Sequence, residues 1–276
     1  MLLLAGCVLL LVGQALCCPG RGRPTSNFEE PKPGRAKVIV LSPGKFQRQS
    51  PTGDVYTVLT SAVLVVSTDT EGVARYLIWD TGMPAQAPSI SAALHQLGVA
   101  AERVSHLYTS HFHWDHHGGD ALFRTASVFY GQMGPTSIDL AADMPYSELT
   151  GGERHDVAID SNVLFVHTPG HSSYDLTLIV SNVEGYGDAL VKIALAGDLI
   201  GTKSRVTKDT SYESEPYRRA GGALAEADAD LLVKSQQRLL CEDRVDYVVP
   251  GHDDLFQVDD AMRQEMCTEF AQDEQQ

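Results

Sequence analysis

The sequence is short of basic residues and of long apolar segments. Its 276 residues include 21 Lys and Arg against 36 Asp and Glu, so the formal net charge at pH 7 is -15. Because proteins bind nucleic-acid backbones mainly by neutralising phosphates with Lys and Arg, this balance excludes a general nucleic-acid-binding surface, although a local basic groove stays open. No segment after residue 16 reaches the roughly 20 apolar residues that a membrane-spanning helix needs, so we expect no membrane span.

Cysteine is also scarce. The chain has five cysteines, of which Cys18, Cys241 and Cys267 lie beyond residue 17. This number is too small and too uneven for a fold built on disulfides. Cys241 and Cys267 either form one disulfide in an oxidising compartment or remain buried thiols. No Asn-x-Ser/Thr acceptor for N-glycosylation occurs in the sequence.

The amino-terminal segment is apolar and uncharged. Residues 1–16 carry no charge and are too few for a spanning helix, a pattern typical of a secretory signal peptide. Ala15 and Cys17 are small residues where a signal peptidase prefers them, which predicts a signal peptide over 1–17. Residues 18–34 are rich in Pro, Gly and charge and are predicted to be a flexible linker. The remainder, 35–276, is predicted to be one domain of a secreted or secretory-pathway protein.

Strand-like and helix-like segments alternate through this domain. Runs of Val, Ile, Leu or Tyr bounded by Gly, Pro or Asp predict strands at 36–41, 55–67, 76–79, 104–108, 163–167, 176–180, 191–195 and 247–249. Apolar residues at helical spacing predict a helix at 89–97, ended by Gly98, and an acidic helix at about 223–240. This mixture of elements predicts an α/β fold.

Four potential metal ligands stand within six residues of one another. His111, His113, Asp115 and His116 follow the predicted strand 104–108 directly. On a loop that leaves a strand, the first two can point to one side while the last two turn to another, so one short segment can hold two neighbouring ions. Further candidates follow apolar runs in the same way, each beside a glycine that lets the chain turn sharply: His171, Asp198 and His252.

These motifs, with the WDTG run at 79–82 upstream, resemble the motif series of the metallo-β-lactamase superfamily over about residues 55–256. The resemblance implies two sheets packed face to face with helices outside, the αβ/βα four-layer sandwich. The short chain without an inserted domain, the TPGH turn at 168–171 and the VVPGH ending at 248–252 are most similar to the metallo-β-lactamase domain-containing protein 1 group.

The resemblance also implies a metal site with seven ligands: His111, His113 and His171 for one ion, Asp115, His116 and His252 for the second, and Asp198 as the bridge. Imidazoles and carboxylates suit zinc, so two Zn²⁺ are the implied cofactors, with iron as the alternative. A hydroxide shared by the ions would be the nucleophile, with its pKa lowered toward about 7. Asp115 would orient that hydroxide, and Asp80 would fix the orientation of a ligand.

The implied activity is that of a metal-dependent hydrolase with Asp115 and Asp198 as catalytic residues. Members of the group are described as endoribonucleases acting on pre-mRNA 3′ ends, which implies an RNA substrate and a cytosolic or nuclear location. The acidic composition and the predicted signal peptide argue against that location. A thioester or lactone hydrolase of the glyoxalase II type, acting on a small molecule, is the alternative, and a single-iron sulfur dioxygenase is the alternative of another class. Whether the chain forms a homodimer stays open. In the segment after Asp198, one basic cluster could meet a phosphate or carboxylate of a substrate: Arg205, Lys208, Arg218 and Arg219.

Overall fold

The computed structural model describes residues 28–49, 56–130, 157–172, 174–208 and 228–268. The predicted signal peptide, most of the predicted linker, and Arg218 and Arg219 lie outside these ranges. The end of the predicted linker is held against the domain and is not free. The Phe28 and Tyr76 rings lie 6.5 Å apart. Glu30 accepts hydrogen bonds from the Tyr76 hydroxyl at 2.7 Å and from Arg103 at 2.6 Å, so an apolar contact and charged hydrogen bonds fix this segment.

In its described residues, the amino-terminal half contains seven strands, numbered in chain order, and one long helix. The strands are β1 Arg35–Ser42, β2 Lys45–Arg48, β3 Tyr56–Leu59, β4 Ala62–Thr68, β5 Ala74–Trp79, β6 Val104–Thr109 and β7 Ser127–Tyr130. Helix α1, Ala87–Leu97, ends as predicted at Gly98, whose φ of 66° is a backbone conformation that favours glycine.

The carboxyl-terminal half has the same mixture of elements. Its strands are β8 Val157–Ala158, β9 Val163–His167, β10 Leu176–Tyr186, β11 Ala189–Gly197, β12 Tyr247–Pro250 and β13 Phe256–Gln257. Helix α2, Ala229–Gln237, continues into a π-helical turn, Arg238–Glu242, and α3 spans Asp260–Cys267. Asp228 caps α2 by accepting from two backbone amides of its first turn. No helix among the described residues is long and apolar enough to cross a membrane.

Within the described ranges, eleven strands form one sheet in the order β13-β12-β11-β10-β1-β4-β5-β6-β7, with β9 paired to β10 and β8 to β9. Strands β1 and β10 meet at Ala36 opposite Val183. We call β1 and β4 to β7 the first half-sheet and β8 to β13 the second half-sheet. Strands β2 and β3 form a separate hairpin.

The two half-sheets pack face to face and carry helices on their outer faces. Alternate residues of β4 divide between two cores: Val63 and Val65 lie in the central core, whereas Leu64 packs with α1. In the second half-sheet Leu178 faces the central core and Ile179 packs with α2. Aromatic rings from both half-sheets pack together in the central core. The ring centroid of Phe165 in β9 lies 4.4 Å from that of Tyr108 and 6.2 Å from that of Trp79, both in the first half-sheet. This arrangement is the predicted four-layer αβ/βα sandwich.

The predicted strand at 55–67 is wrong as one continuous element. Strands β3 and β4 belong to different sheets and are separated by Thr60 and Ser61. The backbone amides of these two residues leave the strand pattern: Thr60 N–H donates to Gln86 Oε1 at 3.1 Å, and Ser61 N–H donates to Gly251 O at 2.7 Å. We call Leu59, Thr60 and Ser61 the β3–β4 corner.

The structure settles the pairing of the two carboxyl-terminal cysteines. Cys241 in the π-helical turn and Cys267 at the end of α3 form a disulfide across 26 residues of chain. Cross-linking a loop of this length restricts the unfolded chain and stabilises the folded protein by about 3 kcal/mol.

Cys241→Ser is therefore expected to lower the free energy of unfolding by about 3 kcal/mol, measured by urea denaturation. Reductant should lower the stability of the wild type similarly and leave the variant unchanged; equal stability of variant and wild type would contradict the prediction.

Candidate metal centre

The seven predicted ligands converge at one edge of the sandwich. His111, His113, Asp115 and His116 lie on the loop after β6 of the first half-sheet. The other three follow strands of the second half-sheet: His171 after β9, Asp198 after β11 and His252 after β12. Loops at the ends of strands can present polar side chains on a rigid frame, and here both half-sheets contribute to one cluster. All of these side chains are buried except His113, which is half-buried.

The first group consists of His111, His113, His171 and Asp198, each offering one ligand atom within 4.8 Å of the others. His113 Nδ1 lies 2.7 Å from His111 Nε2 and 3.1 Å from His171 Nε2. Asp198 Oδ2 lies 3.4 Å from His171 Nε2. Three imidazole nitrogens and one carboxylate oxygen therefore surround a common centre.

The second group consists of Asp115, His116 and His252, whose ligand atoms also lie within 4.8 Å of one another. Asp115 Oδ2 is 3.9 Å from His116 Nε2 and 3.6 Å from His252 Nε2. The second oxygen of Asp198, Oδ1, lies 3.4 Å from His116 Nε2 and 3.1 Å from His252 Nε2. The Asp198 carboxylate thus stands between the groups: Oδ1 faces the second group, and Oδ2 lies 3.4 Å from His171 Nε2 and 3.3 Å from His252 Nε2.

Hydrogen bonds from Nδ1 orient three of the imidazoles. His116 Nδ1 lies 2.8 Å from Asp80 Oδ2, and His252 Nδ1 lies 2.9 Å from the Leu59 carbonyl oxygen. The Ser110 hydroxyl donates to Asp80 Oδ2 at 3.0 Å and so accepts from His111 Nδ1, also at 3.0 Å. With Nδ1 donating, each of these rings binds a cation through Nε2, which offers a lone pair once the ring is neutral.

The electrostatics of the cluster follow from its burial and its two central carboxylates. Burial lowers the pKa of His111 well below its ordinary value and lowers the pKa of His171 to about 3, which keeps both imidazoles neutral. Burial also disfavours the charged form of His116, but Asp80 and Asp198 outweigh it and raise the pKa of His116 well above its ordinary value. Burial alone would raise the pKa of Asp198; His252 and His116 outweigh it and hold that pKa well below its ordinary value.

The donor set fits divalent cations. Among the described residues, neither His116 Nε2 nor Asp198 Oδ1 makes a hydrogen bond, although both atoms are buried. Buried polar atoms without hydrogen bonds are costly, and a cation between them would remove that cost. Imidazole nitrogens and carboxylate oxygens are ligands of zinc and iron. The cluster can therefore hold two metal ions, one in each group.

Asp80 holds the loop after β6 in place through hydrogen bonds with Ser110 and His116. Its Oδ1 accepts a hydrogen bond from the Ser110 backbone amide at 2.7 Å, and its φ of 51° is a conformation that Asn tolerates as well as Asp.

Asp80→Asn therefore keeps the size of the side chain and the backbone conformation but loses the carboxylate beside His116. We expect the free energy of unfolding to fall by about 1–3 kcal/mol, the usual cost of a lost charged hydrogen bond in a buried site, measured by urea denaturation. Undiminished stability would contradict this role.

Several other residues around the cluster could be linked to the site only weakly from the sequence, or not at all. His117 is not in either group and stacks on Phe112 with ring centroids 4.6 Å apart, whereas Trp114 is 63% exposed. Sequence reasoning missed the braces that lie far along the chain from the ligands, chiefly Thr60 and Gln86, because neither belongs to a recognisable motif. Ser110 could have been found, since it directly precedes His111.

Comparisons of the sequence with known proteins point to one family. The family model described as the metallo-beta-lactamase superfamily matches residues 55–252. Over 211 residues the chain is 27% identical to metallo-beta-lactamase domain-containing protein 1 of Xenopus laevis, with 75% of this chain and 76% of that protein covered. A Caenorhabditis elegans protein of uncharacterized function is 27% identical over 196 residues. That match covers 68% of this chain and 47% of the nematode protein, so the chain spans about half the length of this relative.

Solved structures show the same fold at low sequence identity. A Thermotoga maritima protein described as a metallo-beta-lactamase superposes with a TM-score of 0.54 and 17% identity, covering 81% of this chain and all of that chain. A B. thuringiensis AiiA variant with N-decanoyl-L-homoserine at its active site superposes with a TM-score of 0.51 and 19% identity, covering 79% and 93%. The family match spans the whole ligand series from the first half-sheet to His252: the chain belongs to the metallo-beta-lactamase superfamily.

Proposed function

We propose that the chain is a two-zinc hydrolase. One ion would be held by His111, His113 and His171, and the other by Asp115, His116 and His252. The observation that carries this proposal is the position of Asp198, whose two oxygens lie within 3.4 Å of ligand nitrogens in different groups. A carboxylate in that position can bridge two cations and offset part of their charge.

The bound ions would polarise the scissile bond and lower the pKa of an attacking water. The protein's own residues would supply orientation and proton transfer. Asp115 is a carboxylate in the second group and can accept the proton of the attacking water. His113 is the half-buried member of the cluster and so marks the side from which a substrate reaches the site. The buried imidazoles behind it exclude bulk water, which strengthens the electrostatic interactions within the site.

A small molecule with a hydrolysable carbonyl group, a thioester or a lactone, is the substrate class that we favour. The net charge of -15 opposes binding of a polyanion. The Cys241–Cys267 disulfide is typical of an oxidising compartment and supports the proposed secretory location, away from nuclear RNA. Phosphodiester hydrolysis on RNA, implied by resemblance to the domain-containing protein 1 group, is the second candidate, and the match to the frog protein favours it.

Metal analysis and a substrate panel test the proposal together. Purified full-length protein should contain two zinc ions per chain by mass spectrometry of the metals, and a chelator should remove both the metals and the activity. The panel consists of a thioester, a lactone, a phosphodiester and single-stranded RNA. Turnover of the thioester or lactone alone supports our substrate class, and cleavage of RNA alone supports the second candidate. A single iron per chain with oxidation of a persulfide would overturn the two-zinc assignment.

A further inference from the structure

The β3–β4 corner lies directly behind the second group. The Leu59 carbonyl oxygen is 2.9 Å from His252 Nδ1, and the Ser61 backbone amide donates to the carbonyl of Gly251 at 2.7 Å. Between them, the Thr60 hydroxyl donates to Asp115 Oδ2 at 3.4 Å. The three residues of this corner therefore contact two ligands of the second group, His252 and Asp115, and Gly251, which precedes His252.

Thr60 contacts the ligand oxygen itself. Asp115 Oδ2 is the Asp115 oxygen that faces the other ligands of the second group, 3.6 Å from His252 Nε2 and 3.9 Å from His116 Nε2. The Thr60 side chain is fully buried, so its hydroxyl has a fixed set of neighbours and its direction is determined by packing. A hydroxyl that donates to a ligating carboxylate orients that carboxylate and tunes how it binds a cation.

Gln86 fixes the position of this corner. Its Oε1 accepts from the backbone amides of Thr60 and Met83 at 3.1 and 3.0 Å. Its Nε2 donates to the Thr60 carbonyl oxygen at 2.8 Å and to the Ser42 hydroxyl at 2.9 Å. The amide thus makes four hydrogen bonds, the full number that its donors and lone pairs allow, while only 4% of the residue is exposed. Such a saturated buried group holds both backbone polar groups of Thr60 in place.

Residues outside the β3–β4 corner support the first group, and one of them, Ser110, also lies 3.1 Å from His116 Nδ1 of the second group. His111 is oriented by the neighbouring Ser110 hydroxyl at 3.0 Å. The turn that carries His171 is closed by Asp175, which accepts from the backbone amide and the hydroxyl of Ser172 at 2.7 and 2.6 Å. Both supports come from residues within four positions of the ligand. The β3–β4 corner, in contrast, is 55 residues from Asp115 along the chain and serves the second group.

We propose that Thr60, held by Gln86, is a positioning residue for Asp115 and that the β3–β4 corner sets the affinity of the second group for its cation. This inference rests on the proposed two-metal function. The inference predicts that the zinc affinities of the two groups can be changed separately. Loss of the Thr60 hydroxyl weakens zinc binding at the second group and leaves zinc binding at the first group intact. Partners of metal ligands typically contribute 10–100-fold to metal affinity, so the effect is measurable in solution.

The test is a zinc titration of the metal-stripped full-length chain against a chromophoric chelator. Thr60→Val removes the hydroxyl at nearly constant volume, and Thr60→Ser keeps it. Thr68→Val is the matched control, because Thr68 is a buried threonine at the other end of β4 whose hydroxyl makes no hydrogen bond among the described residues. We expect Thr60→Val to weaken the second zinc by roughly 10–100-fold and the first by less than about threefold. Thr60→Ser and Thr68→Val should both bind like the wild type.

A second variant keeps the inference testable if Thr60→Val does not fold. Gln86→Glu retains the acceptor oxygen and the size of Gln86 but lacks the amide donors to Thr60 and Ser42, and it should weaken the second zinc in the same direction. Circular dichroism confirms the fold of each variant. Equal affinity of Thr60→Val and wild type for both ions, or equal weakening of both ions, would overturn the positioning role while the two-zinc function stands. Wild-type protein that binds no zinc would overturn the function and the inference together.

Discussion

Asp198→Ala and His113→Ala are expected to abolish hydrolysis while leaving folded chains that bind less metal. Asp198 stands between the two groups, and His113 Nδ1 lies within 3.1 Å of two other ligand nitrogens. Metal ions contribute several kcal/mol to stabilising the transition state, and each 1.4 kcal/mol corresponds to a factor of ten in rate. We therefore expect kcat/KM to fall by about a thousandfold or more, measured on whichever panel substrate the wild type hydrolyses.

His95→Ala is the matched control for His113→Ala, because His95 is exposed on α1 and belongs to neither group. It should retain wild-type activity and metal content. Circular dichroism and metal analysis of each variant separate loss of metal from loss of fold. Wild-type turnover by either Asp198→Ala or His113→Ala would refute the role of that ligand.

Gly251→Ala is expected to disrupt both groups at once through a contact that has no room for a methyl group. A Cβ at this position would lie 2.2 Å from Asp198 Oδ1 and 2.9 Å from the Gly197 carbonyl oxygen. Forcing an atom into such a space displaces the Asp198 carboxylate or the loop that carries His252. Overpacking of this kind costs about 3 kcal/mol. We expect the free energy of unfolding to fall by about that amount and zinc binding to be lost.

Gly201→Ala provides the comparison for Gly251→Ala. Its backbone φ is -64°, and the nearest atom to an added Cβ lies 3.5 Å away on Arg205, an ordinary van der Waals distance. Because this φ suits alanine and the added methyl group has room, the variant should be as stable as the wild type or more stable by about 0.4–1 kcal/mol. Calorimetry and zinc titration of both variants measure the difference. Gly251→Ala with wild-type stability and zinc content would show that the Asp198 loop tolerates the displacement.

The candidate ligands could be identified from the sequence because each loop that carries them follows an apolar strand, whereas their convergence on one centre was implied by the resemblance to the superfamily. A strand fixes where its last residue lies, and a short loop leaves the next side chain little freedom. His111 and His116 are also only five residues apart, so local geometry places them together. The sequence did not show which residues of β4 face which core. Strand β4 is buried on both faces, so Val63, Leu64 and Val65 are all apolar and no polar residue marks one face.

The supports of the site could not be predicted in the same way. Thr60 lies 55 residues from Asp115 and 26 from Gln86 along the chain, and the hydrogen bonds that join them depend on how three loops pack. Nothing in the sequence marks Thr60 and Ser61 as a break, since the flanking residues are equally apolar and strand-like. The Cys241–Cys267 disulfide was one of two readings of the sequence, because spacing alone does not show that two cysteines are adjacent in space.

The junction of the two half-sheets has a dynamic consequence. The halves meet along β1 and β10 and share one central core, while four of the seven ligands come from the first half and three from the second. Cations bound to both groups would therefore cross-link the halves at the open edge of the sandwich. Amide hydrogens of β1 and β10 should then exchange with solvent deuterium more slowly in zinc-loaded than in stripped protein, and resistance to proteases should depend on zinc supply.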